Sequence, residues 1–104
     1  MEKNTKNQIK KEIMEKINKL LENENEQYRI DNISILNNKD FTGFMGSIRI
    51  YKKENLEKIR KKLEEIINKY GEAAVNQRHI VPCCELPYHY LTFNIKAYEN
   101  QNSQ

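Results

Sequence analysis

The chain has 104 residues, which is enough for one domain with a small hydrophobic core. Apolar residues make up 38% of the sequence and charged residues 32%, and the net charge of +3 allows a nucleic-acid partner without requiring one. No apolar run is long enough for a signal peptide or a bilayer-spanning helix. The adjacent Cys83 and Cys84 do not make the disulfide framework of a secreted domain, so we expect a cytoplasmic location and no membrane association.

Two amphipathic helices are predicted. The first covers residues 5–24, where Thr5 and Gln8 have the spacing of a capping box and apolar residues return on one face in every turn. The second covers residues 54–70, and Gly71 follows it at the position of a left-handed C-terminal cap. Lysine and glutamate alternate at four-residue spacing on the remaining faces of both helices, which indicates solvated surfaces rather than a ridge that binds nucleic acid.

Four strands are predicted, two after each helix. β-Branched and aromatic residues are concentrated in residues 28–36, 43–51, 77–83 and 88–98, and polar or proline-containing turns separate the members of each pair. The chain order α-β-β-α-β-β predicts an α+β domain with one four-stranded antiparallel sheet and both helices packed on one face.

The two αββ halves resemble each other. Ile17 aligns with Ile67 in the helices, and aligning Ile48 with Ile95 in the last strands brings Tyr51 onto Tyr98. An internal duplication and a chance match in a biased composition both explain this similarity. In either case we expect one domain over residues 1–104, with flexible ends at 1–4 and 100–104.

Alternation along the strands predicts which side chains lie beneath the helices. The apolar side consists of Phe44, Ile48, Ile50, His89, Leu91, Phe93, Ile95 and Ala97. The opposite side is left uncovered and is rich in tyrosine and basic residues. The candidate partner-binding residues on this open face are Met45, Arg49, Tyr51, Tyr88, Tyr90, Lys96 and Tyr98.

Three interpretations of the open face are retained. Tyrosine and arginine provide large contact areas with few rotatable bonds, which favours docking on a protein partner or on a second copy of the chain. Aromatic rings flanked by cations also stack unpaired bases, which favours direct binding of single-stranded nucleic acid. Tyrosine has a high strand propensity, so the same residues would also suit a half-exposed sheet that binds nothing.

The segment HIVPCCELPYH contains both histidines and both cysteines. A mixed nitrogen and sulfur metal site would need His79, His89 and a cysteine to converge. Neighbouring cysteines on a strand point to opposite faces, and His89 falls on the apolar side, so the pattern does not favour a metal or another cofactor.

A nucleophilic thiol would require a nearby cation and a positioned base, whereas Glu85 follows Cys84 and disfavours a thiolate. The segment therefore favours a turn stiffened by Pro82 and Pro87, with semi-buried thiols packed beneath it. A thiol or metal enzyme that uses His79, Cys83, Cys84 and His89 is kept as the least favoured alternative.

The sequence contains no glycine-rich phosphate loop, paired-carboxylate constellation or serine-centred elbow. The expected function is that of a small, non-catalytic binding protein that docks on a macromolecular partner, such as a protein or a nucleoprotein complex. Lys, Asn, Ile and Glu are abundant, and AT-rich codons favour these residues. This composition suggests a phage or mobile-element inhibitor of a bacterial nucleic-acid-handling or defence complex, comparable in role to an anti-CRISPR protein.

Overall fold

The computed structural model describes residues 2–98, which form two helices and a four-stranded antiparallel sheet in the predicted order. The elements are α1 (Lys3–Asn23), β1 (Ser34–Asn37), β2 (Phe41–Ile50), α2 (Leu56–Ile67), β3 (Glu72–Ile80) and β4 (Tyr88–Tyr98), with a 3-10 turn at Lys53–Asn55. The predicted α+β fold is confirmed. Within residues 2–98, neither helix combines the length and the apolarity needed to cross a bilayer.

The strand order is β1-β2-β4-β3, so the last strand of each half lies at the centre of the sheet. In the central pair, Phe44 lies opposite Ile95 and Ile48 lies opposite Leu91. The alignment that matches Tyr51 with Tyr98 also matches Gly46 with Phe93, and these two residues are themselves opposite each other. The central pair is therefore compatible with an approximate two-fold relation between the halves, while the duplication itself stays a hypothesis.

One hydrophobic core lies between the helices and one face of the sheet. The helices and the central strands contribute Ile13, Ile17, Leu20, Leu21, Ile59, Leu63, Ile67, Phe44, Ile48, Ile50, Leu91, Phe93 and Ile95 to this core. The residues predicted to face the helices are thus buried, apart from His89, which is only partly buried. Their alternation places the buried apolar side chains of the central strands on one face, as a sheet covered on one side requires, while Met45 lies on the other face.

The first predicted strand is wrong over most of its length. Residues 28–36 were expected to be extended, but β1 begins only at Ser34. Ile30 and Ile33 are both buried, and a three-residue spacing would put them on opposite faces of a regular strand. The side chain of Asn18 on α1 instead holds this segment: Oδ1 accepts from the Ile30 N–H at 2.7 Å, and Nδ2 donates to the Ile30 carbonyl at 3.0 Å.

The third predicted strand is displaced. It was expected over residues 77–83, but β3 runs from Glu72 to Ile80. Ala73 and Val75 pack against the core, and this alternation was obscured by the low strand propensity of alanine. The strand ends before Pro82, which lacks the N–H that a further ladder bond would require.

Both predicted helix caps are wrong. Helix α1 begins at Lys3 after Glu2, which makes no side-chain capping bond, so Thr5 lies inside the first turn. The φ angle of Gly71 is 159°, far from the left-handed helical value of about +57°. A Cβ at Gly71 would lie 2.3 Å from the carbonyl oxygen of Lys96, so glycine is required there by the close approach of two backbones. Flexible ends are expected at residues 1–4 and 100–104; residue 1 and residues 100–104 lie outside the described residues, and Lys3 and Asn4 lie in the first turn of α1.

Candidate functional site

The seven residues predicted for the open face all lie on the side of the sheet opposite the core. On β2 they alternate with the buried Phe44, Ile48 and Ile50, and on β4 they alternate with buried residues from Leu91 onwards. Arg49 lies opposite Tyr90 across the central pair. The structure divides six of the seven into two groups, with Met45 between them, because Tyr90 and Tyr98 are separated by about 26 Å along β4 at the usual rise per residue.

One group forms a continuous series of aromatic contacts. The ring centroids of Tyr51 and Tyr88 are 5.4 Å apart, and those of Tyr88 and Tyr90 are 6.1 Å apart. Tyr28, which precedes the sheet, extends the series with a centroid distance of 5.1 Å to Tyr51. These separations are typical of favourable aromatic pairs. We call Tyr28, Tyr51, Tyr88, Tyr90 and the adjacent Arg49 the tyrosine cluster.

Arg49 links the rings of the tyrosine cluster. Its guanidinium carbon lies 4.5 Å from the ring centroid of Tyr88, in a cation–π arrangement, and its Nη1 donates to the Tyr51 hydroxyl at 3.3 Å. The hydrogen bond with Tyr51 is the main cause that raises the pKa of Arg49 above its ordinary value, with a further contribution from the field of Tyr88. The side chain therefore stays charged and is oriented by two rings.

Tyr90 is fixed by polar neighbours. Its hydroxyl donates to Ser47 Oγ at 2.8 Å, and its position on β4 lies between Arg49 on β2 and Arg78 on β3. Two arginines therefore flank the central tyrosine on the open face. A depression of about 360 Å³ adjoins this point, lined by residues that include Tyr28, Arg29, Asp31, Ser47, Arg49 and Tyr90.

The second group lies at the other end of the open face. Lys96 Nζ is 5.2 Å from the ring centroid of Phe41, and the Tyr98 hydroxyl donates to Glu72 Oε2 at 2.9 Å. This hydrogen bond to a carboxylate is the main cause that raises the pKa of Tyr98. Met45 is exposed between the two groups, with 48% of its surface accessible. These contacts are separate pairs rather than a network.

A buried carboxylate supports the tyrosine cluster from behind. Glu26 is only 3% exposed, and its Oε1 accepts from the Tyr51 N–H at 2.9 Å. Its Oε2 accepts from Asn55 Nδ2 at 2.7 Å and from the Lys52 N–H at 3.4 Å. The carboxylate thus ties the end of α1 to the end of β2 and to the start of α2.

Sequence reasoning missed Tyr28 and Glu26. Tyr28 was placed within a strand but assigned to no face, because its segment does not alternate. Glu26 looked like one of many solvated acidic residues, and only its position after α1 makes it a buried acceptor. The sequence signal was the neighbouring Asn25, because asparagine adopts a left-handed backbone more readily than most residues. Its φ is 59°, and at this residue the chain leaves the helix and turns inward.

The histidine and cysteine segment is divided by the structure into two pairs. The rings of His79 and His89 stack across β3 and β4 at 4.7 Å, and burial is the first cause that lowers the pKa of His89, followed by the fields of His79 and Lys53. Cys83 and Cys84 lie in the connection after β3 with their sulfurs 3.3 Å apart.

The expectation of semi-buried thiols is wrong, because both cysteines are exposed. The connection between β3 and β4 extends away from the core, and its Val81 and Leu86 side chains are 70% and 74% exposed. Among residues 2–98, no group of three or more His, Cys, Asp or Glu side chains is arranged to hold a metal ion.

Comparisons with protein-family models, with curated proteins and with solved structures found no match for the chain.

Proposed function

We propose that this protein is a non-catalytic binding module that docks on a protein partner through the tyrosine cluster. The observation that carries the proposal is the mutual ordering of the cluster: each of its rings contacts another ring, and Arg49 is held by both Tyr51 and Tyr88. Side chains that are ordered before binding lose little conformational entropy when a partner arrives. Large, ordered aromatic residues beside arginine are typical of the residues that contribute most to protein interfaces.

The surroundings of the cluster suggest the chemistry of the partner. Arg49 and Arg78 flank Tyr90, and the adjoining depression contains Arg29 as well as Asp31. A partner that inserts an apolar or aromatic side chain into the depression and offers carboxylates to the arginines would fit this arrangement. An inhibitor from a phage or mobile element, acting on a bacterial defence or nucleic-acid-handling complex, is one setting in which such a docking module would work.

Single-stranded nucleic acid is the second candidate ligand, and the stacking of Arg49 on Tyr88 favours it. Bases stack on exposed aromatic rings, and arginine adds contacts with phosphate. We rank this candidate lower because Arg49 already donates to Tyr51, the net charge of the chain is only +3, and Glu72 places a carboxylate on the same face.

The test compares variants from the two ends of the open face. Tagged wild-type protein, Tyr51→Ala, Tyr90→Ala and the control Tyr98→Ala are used to capture partners from a bacterial lysate, followed by affinity measurements with the purified partner. We expect Tyr51→Ala and Tyr90→Ala to weaken binding by about 2 kcal/mol or more through faster dissociation, while Tyr98→Ala has little effect. Equal binding by all four proteins would refute the assignment of the cluster.

A salt titration separates the two ligands. Docking on a protein predicts little binding to generic single-stranded oligonucleotides and a shallow dependence of partner affinity on salt. Nucleic-acid binding predicts a steep dependence, because cations that contact phosphate release counterions, and Arg49→Ala would then flatten the slope. Sub-micromolar, strongly salt-dependent oligonucleotide binding would replace the protein-docking proposal with the second candidate.

A further inference from the structure

Within residues 2–98, the outer edge of β3 is a long strand edge without a partner strand. β3 spans nine residues, Glu72–Ile80, and pairs with β4 along one side only. The other edge of the sheet, β1, has only four residues. An edge strand directs the N–H and C=O groups of alternate residues outward, where they form a template for another strand. β3 contains neither proline nor lysine, two residues that commonly protect such edges.

The charges on β3 complement one another in a single antiparallel register. Glu72 and Arg78 both lie on the open face, because they are opposite Lys96 and Tyr90 of β4. When Val75 of one copy lies opposite Val75 of a second copy, Glu72 of each chain faces Arg78 of the other. A shift by two residues in either direction removes both ion pairs, and a shift by one residue would place side chains on the wrong face of the sheet.

The side chains at the centre of this register, in residues 73–77, are uncharged. Val75 is opposite Phe93 within the chain and therefore lies on the helix side, partly buried against the core. The neighbouring pairs would be Ala73 with Gln77 and Ala74 with Asn76, so no like charges meet across the edge.

We propose that two copies of this chain pair through the outer edge of β3 and form a continuous eight-stranded sheet. Antiparallel pairing of identical edges is isologous, with a two-fold axis perpendicular to the sheet. Both pairs of helices then lie on one side, and both tyrosine clusters face the other. The dimer does not depend on the docking proposal, but it would present two clusters to one partner surface and so increase avidity.

The first experiment measures the mass of the whole chain in solution. Sedimentation equilibrium under reducing conditions should show a dimer at about 100 µM, a concentration that populates interactions with micromolar dissociation constants. Reducing conditions exclude disulfides through Cys83 and Cys84. A chain that stays monomeric at this concentration overturns the proposal.

Charge reversal tests the register. Arg78→Glu and Glu72→Arg each place two like-charged pairs across the two-fold axis, and each should weaken the dimer by about tenfold or more. The double variant Glu72→Arg/Arg78→Glu restores both pairs with reversed polarity and should dimerise like the wild type. Circular dichroism melts verify that each variant is folded. A dimer that is unaffected by either single reversal overturns the proposal.

Disulfide trapping tests the same register independently of charge. In a Cys83→Ser/Cys84→Ser background, Val75→Cys places two thiols opposite each other at the two-fold axis, within the range that a disulfide spans. Gln77→Cys is the matched control, because its two copies would lie about 13 Å apart along the paired strands. Rapid oxidative cross-linking of Val75→Cys but not of Gln77→Cys is expected. Cross-linking of Gln77→Cys alone, or of neither variant, overturns the register.

Discussion

The buried carboxylate of Glu26 accepts a hydrogen bond from the backbone N–H of Tyr51, with 2.9 Å between Oε1 and the nitrogen. Glu26 precedes Tyr28 by two residues, and the rings of Tyr28 and Tyr51 are in contact. A single acceptor therefore fixes the relative position of two segments that are distant in the sequence and that both contribute to the tyrosine cluster.

Replacing Glu26 by alanine should destabilise the fold and disorder the tyrosine cluster. The substitution leaves the Tyr51 N–H without its acceptor and leaves Asn55 Nδ2 with the Glu24 carbonyl alone, and hydrogen bonds to a charged group contribute about 1.5–3 kcal/mol each. We expect a loss of about 3 kcal/mol in the free energy of unfolding, measured by urea denaturation.

Glu26→Gln is the matched variant. Its amide oxygen retains one acceptor while its NH2 group faces other donors, so its stability should lie between those of the wild type and Glu26→Ala. Near wild-type stability of Glu26→Ala would show that water replaces the carboxylate and would contradict its structural role.

Gly71→Ala should destabilise the fold through a clash between backbones. A Cβ at this position would lie 2.3 Å from the Lys96 carbonyl oxygen and 2.8 Å from its carbon, and neither atom can move without displacing β4. Overpacking of this kind costs about 1–3 kcal/mol. Gly43→Ala is the control, because the nearest atom to its added Cβ would be 3.4 Å away in ordinary contact. Thermal melts should show a lower transition temperature for Gly71→Ala only, and equal melts would contradict the close approach.

His89 should make the stability of the fold depend on pH. Burial, and then the fields of His79 and Lys53, lower the pKa of His89 in the folded state below its ordinary value of 6.5. Between the folded pKa and 6.5, the unfolded chain consequently binds a proton at His89 that the folded chain does not. The contribution of His89 to stability is therefore fully present above pH 6.5 and is lost as the pH falls towards the folded pKa.

The measurement is an NMR titration of the two histidine rings, combined with urea denaturation at about pH 7.5 and about pH 5.5. The His89 ring should titrate below 6.5, and His89→Gln should reduce the loss of stability between the two conditions. A His89 ring that titrates above 6.5 would reverse the sign and contradict this prediction.

Cys83→Ser/Cys84→Ser should leave the fold unchanged. Both side chains are exposed in the connection after β3, so their replacement creates neither a cavity nor a buried polar group. The free energy of unfolding under reducing conditions should stay within about 0.5 kcal/mol of the wild type. Partner binding should also persist, since the thiols lie outside the tyrosine cluster. A folded double variant that loses function would favour the thiol-enzyme alternative instead.

The local periodicity of the sequence determined the order of the elements and the two faces of the central strands. The pattern around Leu91 and Phe93 alternates strictly, and these residues are buried as predicted. A helix or strand period is a property of neighbouring residues, so it is readable without knowledge of the rest of the chain. The same alternation along the strands predicted that Tyr51 and Tyr90 lie on the face opposite the core.

The tertiary structure alone decided which of these residues meet. The Asn18 side chain bonds the backbone of Ile30 in place of a neighbouring strand, so residues before Ser34 are not part of the sheet. In this arrangement the ring of Tyr28 contacts that of Tyr51. The burial of Glu26 likewise depends on donors about 25 positions further along the chain. These are long-range contacts between groups whose local sequence gives no period, and their energy comes from satisfying buried polar atoms rather than from any local propensity.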